Sequence, residues 1–422
     1  MKILIHGLNH APERIGTAVY TTRLAEFLKA QGHIVNVVTA HPYYPEWQRR
    51  PGWPLLGYRI QPADQSSPTV VHCPLFVPQK PHFTTRLLQY LSFLLTSLPI
   101  MLWLCIRRRP DIVISIAPSL VSSVVALICG RLIGAKIILH VQDFEVEAAF
   151  ATKAIHRQSF IGHLALGFES FVLRRFDIVS SISAPMLRKL VEKGVDPDRV
   201  IEFRNWADLS TIRPLNTVSP MRAENGLTAR HVVLYSGNIA EKQGLEIIPA
   251  SARRLAHRTD VQFVICGNGA QREKLENACE GLKNVSFLPL QPFSRLNDLL
   301  GMADIHLLPQ ISGVEELVLP SKLANMLASG RPVITTASPN SALASEVNGC
   351  GVVVPPGDDA ALAEAVEHLL EQSERRLDMG LAARLRAIDR WDDVSILSKF
   401  ETQLFRSCRN EPFSLVYEDE KA

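Results

Sequence analysis

The sequence predicts an α/β protein of two similar halves, each a parallel sheet covered by helices. Three observations predict it. Short runs rich in Val and Ile recur along the chain, each followed by a polar turn and an amphipathic stretch. The runs are near-continuously apolar rather than alternating, as strands buried on both faces of a sheet are. The chain has 422 residues, enough for two or three domains at about 100–200 residues each.

The first series of strands is expected at Lys2–Gly7, Ile34–Ala40, Asp111–Ala117, Lys136–Val141, Asp177–Ser183 and Arg199–Arg204. Between the first two, Thr17–Gln31 repeats apolar residues at Val19, Leu24, Phe27 and Leu28, with Gly32 placed to stop a helix. Ser183 supplies an N-cap with Pro185 in the first turn, and Gly194 ends that helix. A second series follows at His231–Gly237, Val261–Gly267, Val285–Leu290, Asp304–Pro309, Pro332–Thr336 and Gly351–Val354. Pro214–Thr228, with two prolines, Asn, Ser and Gly and no apolar period, suits a linker. The expected domains are therefore 1–213 and 214–391, with a last helix, 392–408, crossing back to the first domain.

Composition narrows the function. Hydrophobic residues at 47% and charged residues at 21% exclude global disorder. Lys plus Arg number 45 against 42 for Asp plus Glu, a net charge of +3, which leaves no footprint for wrapping nucleic acid. Seven cysteines form no CxxC pair and no array at zinc spacing, so a reducing, cytoplasmic compartment is expected. The opening MKILIHGLNHAPE reads as a strand, its apolar run being too short for a signal-peptide core. Leu87–Ile106 holds twenty uncharged residues and is followed by Arg107-Arg108-Arg109. Gln89, Ser92, Thr96, Ser97 and Pro99 interrupt it, and a span there would split the first sheet across a membrane. Two readings remain: an ordinary crossover helix, or one that also lies on a membrane surface, anchored by the arginines and Trp103.

Ligands of open parallel sheets bind at the carboxyl ends of the strands, so the residues just after each run are the candidates. Gly16 opens a helix whose N–H groups can hold an anion, or simply makes a tight turn. G-x-G-x-x-G is absent there, which counts against a nicotinamide enzyme. His140 and Asp143 end a strand, where they can accept a proton or hold a sugar hydroxyl, or serve as core packing and helix cap. Glu145 and Glu147 read as a first-turn helix charge and a solvated group. Arg204 can meet a phosphate and Trp206 can stack on a sugar face, with structural roles open for both. In the second half, Ser236-Gly237-Asn238 and Gly267 with Gly269 make two turns without bulky side chains. Together with Lys242 and the helix opened by Gly244, they suggest a nucleotide diphosphate cradle. Ser321 and Lys322 begin a helix and form an anion site, near which Glu316 can accept ribose or sugar hydroxyls. Asp196-Pro-Asp198 matches D-x-D but sits where turn residues are common, so no metal is expected.

At HVQDFEVEA, YSGNIAEKQGLE and LPSKLANMLASG the sequence resembles glycosyltransferase family 4, retaining enzymes of the GT-B fold, and most of all its colanic-acid-type exopolysaccharide transferases. The similarity runs from Met1 to about Cys408. It implies two Rossmann-like domains facing across a cleft, an acceptor-binding first domain and a nucleotide-sugar-binding second, with no bound metal or other cofactor. Carried over by position, Gly16 lines the donor diphosphate and His140 and Asp143 lie beside the reacting sugar. Asn238, Lys242 and Gln243 fall at the diphosphate, and Glu316, Ser321 and Lys322 around the donor sugar and nucleotide. The family's Arg and Lys pair appears here as Asn238 and Gln243, and the second glutamate of its E-x7-E element as Asn325. The implied reaction moves a hexosyl group from a nucleoside-diphosphate sugar to a polyprenyl-diphosphate-linked glycan, in the cytoplasm or peripherally on the inner face of the membrane. A sugar-nucleotide epimerase of the same fold and a non-catalytic sugar-binding protein are the alternatives.

Overall fold

The computed structural model describes residues 1–14, 16–80, 82–151, 154–311 and 319–409, the side chains of Ala151 and Lys242 excepted. The six apolar runs of the first series become β1 Lys2–Gly7, β2 Ile34–Ala40, β5 Ile112–Ala117, β6 Lys136–Val141, β7 Ile178–Ser181 and β8 Val200–Glu202, and two unexpected strands, β3 Arg59–Gln61 and β4 Thr69–Cys73, stand between β2 and β5 in the chain. In the second series the runs are β9 His231–Ser236, β10 Val261–Cys266, β11 Val285–Leu288, β12 Ile305–Leu308, β13 Val333–Thr336 and β14 Gly351–Val354.

The first sheet has the order β3-β4-β2-β1-β5-β6-β7-β8 and the second β11-β10-β9-β12-β13-β14. Every pairing is parallel except that of β3 with β4. Strand order reverses direction between β1 and β5 and again between β9 and β12, and these reversals are where open α/β sheets bind ligands. All six residues of β5 are buried, the consequence of helices on both faces.

Two compact units result: Met1–Arg204 with the chain from Leu397 onward, and Asn205–Ile396. The stretch after Arg204 falls in the second unit because its apolar residues pack there. Ala207 and Ile212 join the core of Leu323, Leu327 and Val333, and Met221 packs with Val232 and Leu234. Pro214–Thr228 is thus packed chain rather than a free linker. Its Arg222 donates to Asp304 Oδ2 and to the Met302 carbonyl, both at 2.8 Å. On the Asp393–Cys408 helix, Phe400 stacks on Phe203 at 3.8 Å and 10°, and Glu401 meets His33 Nε2 at 2.8 Å, both within the first unit.

The apolar segment forms the Phe83–Arg108 helix, long and apolar enough to cross a membrane by length and composition, with a third of its most apolar stretch buried. It packs along the Leu120–Ile133 helix and buries Phe93, Met101, Leu104 and Cys105.

Candidate active site

In the second unit, β9 ends on Tyr235 and Ser236 and the chain turns at Gly237, whose φ of 141° few side chains tolerate. A Cβ there would stand 2.9 Å from the Lys322 ammonium. β10 turns the same way at Gly267 and Gly269, with φ of 152° and 155°. A Cβ on Gly267 would run into the Gly237 carbonyl, and one on Gly269 into the Ile239 carbonyl. The two turns lie against each other: Gly237 N–H donates to the Cys266 carbonyl at 2.9 Å, and Ile239 N–H to the Asn268 carbonyl at 2.8 Å.

Lys322, in the first turn of the Ser321–Ala328 helix, reaches over the end of β9. Its Nζ donates to the Tyr235 hydroxyl and to Gln243 Oε1, both at 2.8 Å, and lies 4.4 Å from the Tyr235 ring centroid. Tyr235 donates onward to the Asn238 carbonyl at 2.6 Å, and burial pushes its phenol well above the ordinary range, keeping the proton in place. Gln243 ends a short helical turn, Glu241–Gln243, stopped by Gly244 at φ 59°, which abuts Gln310 and Ile311 after β12. The reversal between β9 and β12 therefore carries a fixed ammonium, a helix N-terminus and two side-chain-free turns. Such a set is suited to a di-anion.

In the first unit the loops after β1 and β2 are tied by Glu13, only 4% exposed. Its Oε1 accepts from Tyr43 N–H and Tyr44 N–H at 2.7 Å each and its Oε2 from Asn9 Nδ2 at 2.8 Å. Burial still pushes its carboxyl up, these donors opposing the rise. Gly16, at φ 64°, begins the Thr17–Ala30 helix, and the Tyr44 ring lies 3.7 Å from where its Cβ would stand. Trp47, a non-glycine at φ 52°, packs on Tyr43 at 5.5 Å, with the Arg86 guanidinium 6.0 Å from its ring. Arg86 also donates to the Tyr90 hydroxyl at 2.5 Å.

His140 is a core residue rather than an open acid or base. Its Nδ1 lies 3.0 Å from Ser180 Oγ, Gln142 Nε2 donates to its Nε2 at 2.8 Å, and its ring packs on Phe203 at 4.8 Å. Burial drops its pKa to about 3, so the ring is neutral and orients Gln142 at the end of β6. Asp143, three residues on, is exposed. Glu145 stands in the first turn of the Glu145–Ala151 helix, as expected, and also ties it to the start of the Leu120–Ile133 helix: its Oε2 accepts from Leu120 N–H at 2.9 Å, and burial raises its pKa. Glu147, by contrast, is no solvated group, since Lys193 holds it at 2.9 Å.

Trp206, expected to stack on a sugar, is 6% exposed and belongs to the second unit. Arg204 is held by Glu202 at 2.8 Å, with its side chain 10% exposed. Gln243 turns its amide to Lys322 rather than outward. Asn238 and Ser321 are exposed, and Asn325 is half-buried one turn beyond Lys322. The Lys242 side chain and Glu316 lie outside the described residues. Asp196 and Asp198 form a turn in which Asp196 Oδ1 accepts from Asp198 N–H at 3.1 Å. Among the described residues, no three His, Cys, Asp or Glu side chains gather as metal ligands do. Tyr235, Glu13, Gln142 and Arg86 were not anticipated. Tyr235 had a signal, a polar-tipped ring closing an aliphatic strand, whereas the partners of Glu13 come from another loop.

Residues 16–206 match the model of a glycosyl transferase 4-like domain, and residues 230–372 that of glycosyl transferases group 1. The chain is 36% identical to a protein of Escherichia coli K12 named as a colanic acid biosynthesis glycosyl transferase, WcaI, over 90% of this chain and 97% of that one. Among solved structures it resembles sucrose-phosphate synthase from Thermosynechococcus elongatus, with a TM-score of 0.75 at 19% identity over 97% of this chain and 99% of that one. It also resembles Anabaena HepE in complex with UDP-glucose, with a TM-score of 0.69 at 15% identity over 96% and 99% of the two chains. These structural likenesses bear on the fold, which is GT-B.

Proposed function

Because the chain belongs to the glycosyltransferases that join a 4-like domain to a group 1 domain, we propose that it is a retaining hexosyltransferase of exopolysaccharide assembly of the colanic-acid type. Its donor is a nucleoside-diphosphate sugar and its acceptor a polyprenyl-diphosphate-linked glycan. It works in the cytoplasm, at the inner face of the membrane.

The observation that carries this reading is the Lys322 ammonium, fixed by Tyr235 and Gln243 above the glycine turns of β9 and β10. The donor's diphosphate rests there, beside turns that carry no side chain. As the bond from the anomeric carbon to the phosphate oxygen breaks, Lys322 and the N-terminus of its helix offset the charge left on the diphosphate. The acceptor hydroxyl bonds to the anomeric carbon from the same face, and its proton passes to the departing phosphate oxygen. His140, neutral and enclosed, takes no part in that transfer. Ser321 and Asn325 stand on the same helix toward the donor sugar and nucleotide, and the reaction needs no metal ion.

A thermal-shift screen of UDP, GDP and their common sugars tests the reading. At one hundred times Kd a ligand adds about 2.7 kcal/mol, and for a unit of this size the melting temperature rises by about 5–10 °C. Lys322→Ala is expected to abolish the shift and to slow transfer about 10²–10³-fold, while EDTA leaves both unchanged. If no nucleotide diphosphate stabilises the wild type, the cradle is not a donor site. Conversion of a donor sugar to its epimer without acceptor would replace transfer by epimerisation.

A further inference from the structure

We propose that the outer face of three helices in the first unit, Phe83–Arg108, Leu120–Ile133 and Phe160–Leu173, seats the protein on a lipid bilayer that contains anionic headgroups. The inference deepens the reading of a lipid-linked acceptor and rests on it for its purpose, but not for its evidence.

These helices connect β4 to β5, β5 to β6 and β6 to β7. Each step moves the same way across the sheet, so right-handed crossovers lay all three on one face. The first packs along the second, and the second touches the third. The first two pack on strands of the sheet and the third against the second, and each leaves an apolar stripe in water. Leu95, Trp103 and Ile106, then Leu132, then Phe160 and Leu164 are between 56% and 83% exposed. An apolar area spread over three neighbouring helices is more than a monomer's surface requires.

Charge selects the occupant. The only acidic residue in the three helices is Glu169, buried and paired with Lys193 at 2.6 Å. The helices run opposite to the strands, so their C-termini meet at the strand starts and bring together Arg107, Arg108, Arg109, Arg131, Arg174 and Arg175, all exposed. One cation at each C-terminus is what the helix dipole favours. A triplet beside exposed Trp103 and Ile106 exceeds that need. Of the carboxylates at the same end, Asp177 is paired with Arg131 at 2.8 Å and Asp111 accepts from Lys2 N–H at 2.7 Å. A recess lined in part by Lys2, Arg107 and Arg108 opens there, where a phosphate headgroup would be met by three cations. An apolar face free of exposed carboxylates, with a Trp and arginines at its border, matches the layered chemistry of a bilayer surface.

Flotation of the full chain with vesicles of phosphatidylcholine alone, or mixed with phosphatidylglycerol, tests this. The wild type is expected to float with the anionic vesicles and to be released by high salt. At about 1 kcal/mol for each arginine, the triple variant Arg107→Ala, Arg108→Ala, Arg109→Ala should bind about 100-fold more weakly. Leu95→Gln with Trp103→Gln, and separately Phe160→Ser with Leu164→Ser, should also lose binding at an unchanged melting temperature. Leu377→Gln with Leu381→Gln, exposed in the second unit, should not. Failure of the wild type to float, or undiminished flotation of both apolar variants, overturns the proposal. So does a wild-type dimer that these variants dissociate, which would make a second copy the occupant. Transfer to a water-soluble acceptor is measured alongside: its survival when flotation fails removes the docking face and leaves the enzyme, and the reverse result removes the enzyme alone.

Discussion

At the scale of single residues, the donor site depends on how firmly one ammonium is held. Lys322 has a long flexible stem, and the Tyr235 hydroxyl and Gln243 Oε1, both neutral acceptors, help to fix its ammonium. A carboxylate in place of Gln243 would pair with it and weaken its pull on a diphosphate. Tyr235→Phe keeps the ring beneath the ammonium but removes the hydroxyl that also supports the Asn238 carbonyl. A hydrogen bond to a charged group is worth about 1.5–3 kcal/mol, so donor KM should rise roughly tenfold or kcat fall by a similar factor, with little change in melting temperature. Separate kcat and KM measurements on the Phe variant check this. Kinetics identical to wild type would mean that Lys322 positions itself.

At the scale of elements, the turns after β9 and β10 work as a pair, because the carbonyls of the first leave no room for side chains on the second. Gly267→Ala would force a strained φ, at about 1–3 kcal/mol, and push a methyl into the Gly237 carbonyl, parting the turns. Gly281, at φ 80° with nothing within 4 Å of its Cβ position, provides the comparison. Both alanine variants should lower stability in urea, and only Gly267→Ala should also lose nucleotide binding by calorimetry. Equal binding by the two would separate the turns from the ligand. The same elements show what could be read ahead of the structure. β1 and β6 begin and end where the apolar runs do, because burial on both faces demands an unbroken run. Asp111 and Asp177, expected as strand starts, stand just outside β5 and β7, where their carboxylates accept from Lys2 N–H and Ile137 N–H. β3 and β4 escaped notice, β3 because all three of its residues are exposed and β4 because its apolar run is short and ends on His72 and Cys73. The glycine turns and Lys322 were legible because backbone geometry and helix starts leave local signatures. Glu13 and Arg86 were not, since only the folded topology brings their partners to them, as it brings Gln243 to Lys322.

At the scale of the molecule, the two units differ in how they store buried histidine. His6, His10, His72 and His140 in the first unit have pKa values lowered by burial to about 3, 4, 4 and 3, while in the second His306 is lowered to about 3. His41 in the first unit and His231 in the second are lowered as well. Each of these rings is neutral when folded and takes up a proton near pH 6.5 when unfolded, so its stabilising effect is complete above 6.5 and is lost as the pH falls toward the folded value. At pH 5.5 one fully protected histidine costs about 1.4 kcal/mol. The four deeply lowered rings therefore remove about 5–6 kcal/mol from the first unit, and His306 about 1.4 kcal/mol from the second. Glu13, Glu26, Glu145 and Glu169, raised by burial, work the other way, because they gain protons first in the folded state. Hydrogen bonds or nearby cations hold each of those rises in check, whereas burial acts on His6 and His140 unopposed. Acid should therefore open the first unit before the second. Hydrogen exchange at pH 7, 6 and 5 would show it as protection lost from β1, β5 and β6 while β9 and β10 keep theirs. Loss from β9 and β10 first, or from both units together, would mean that the buried carboxylates outweigh the histidines.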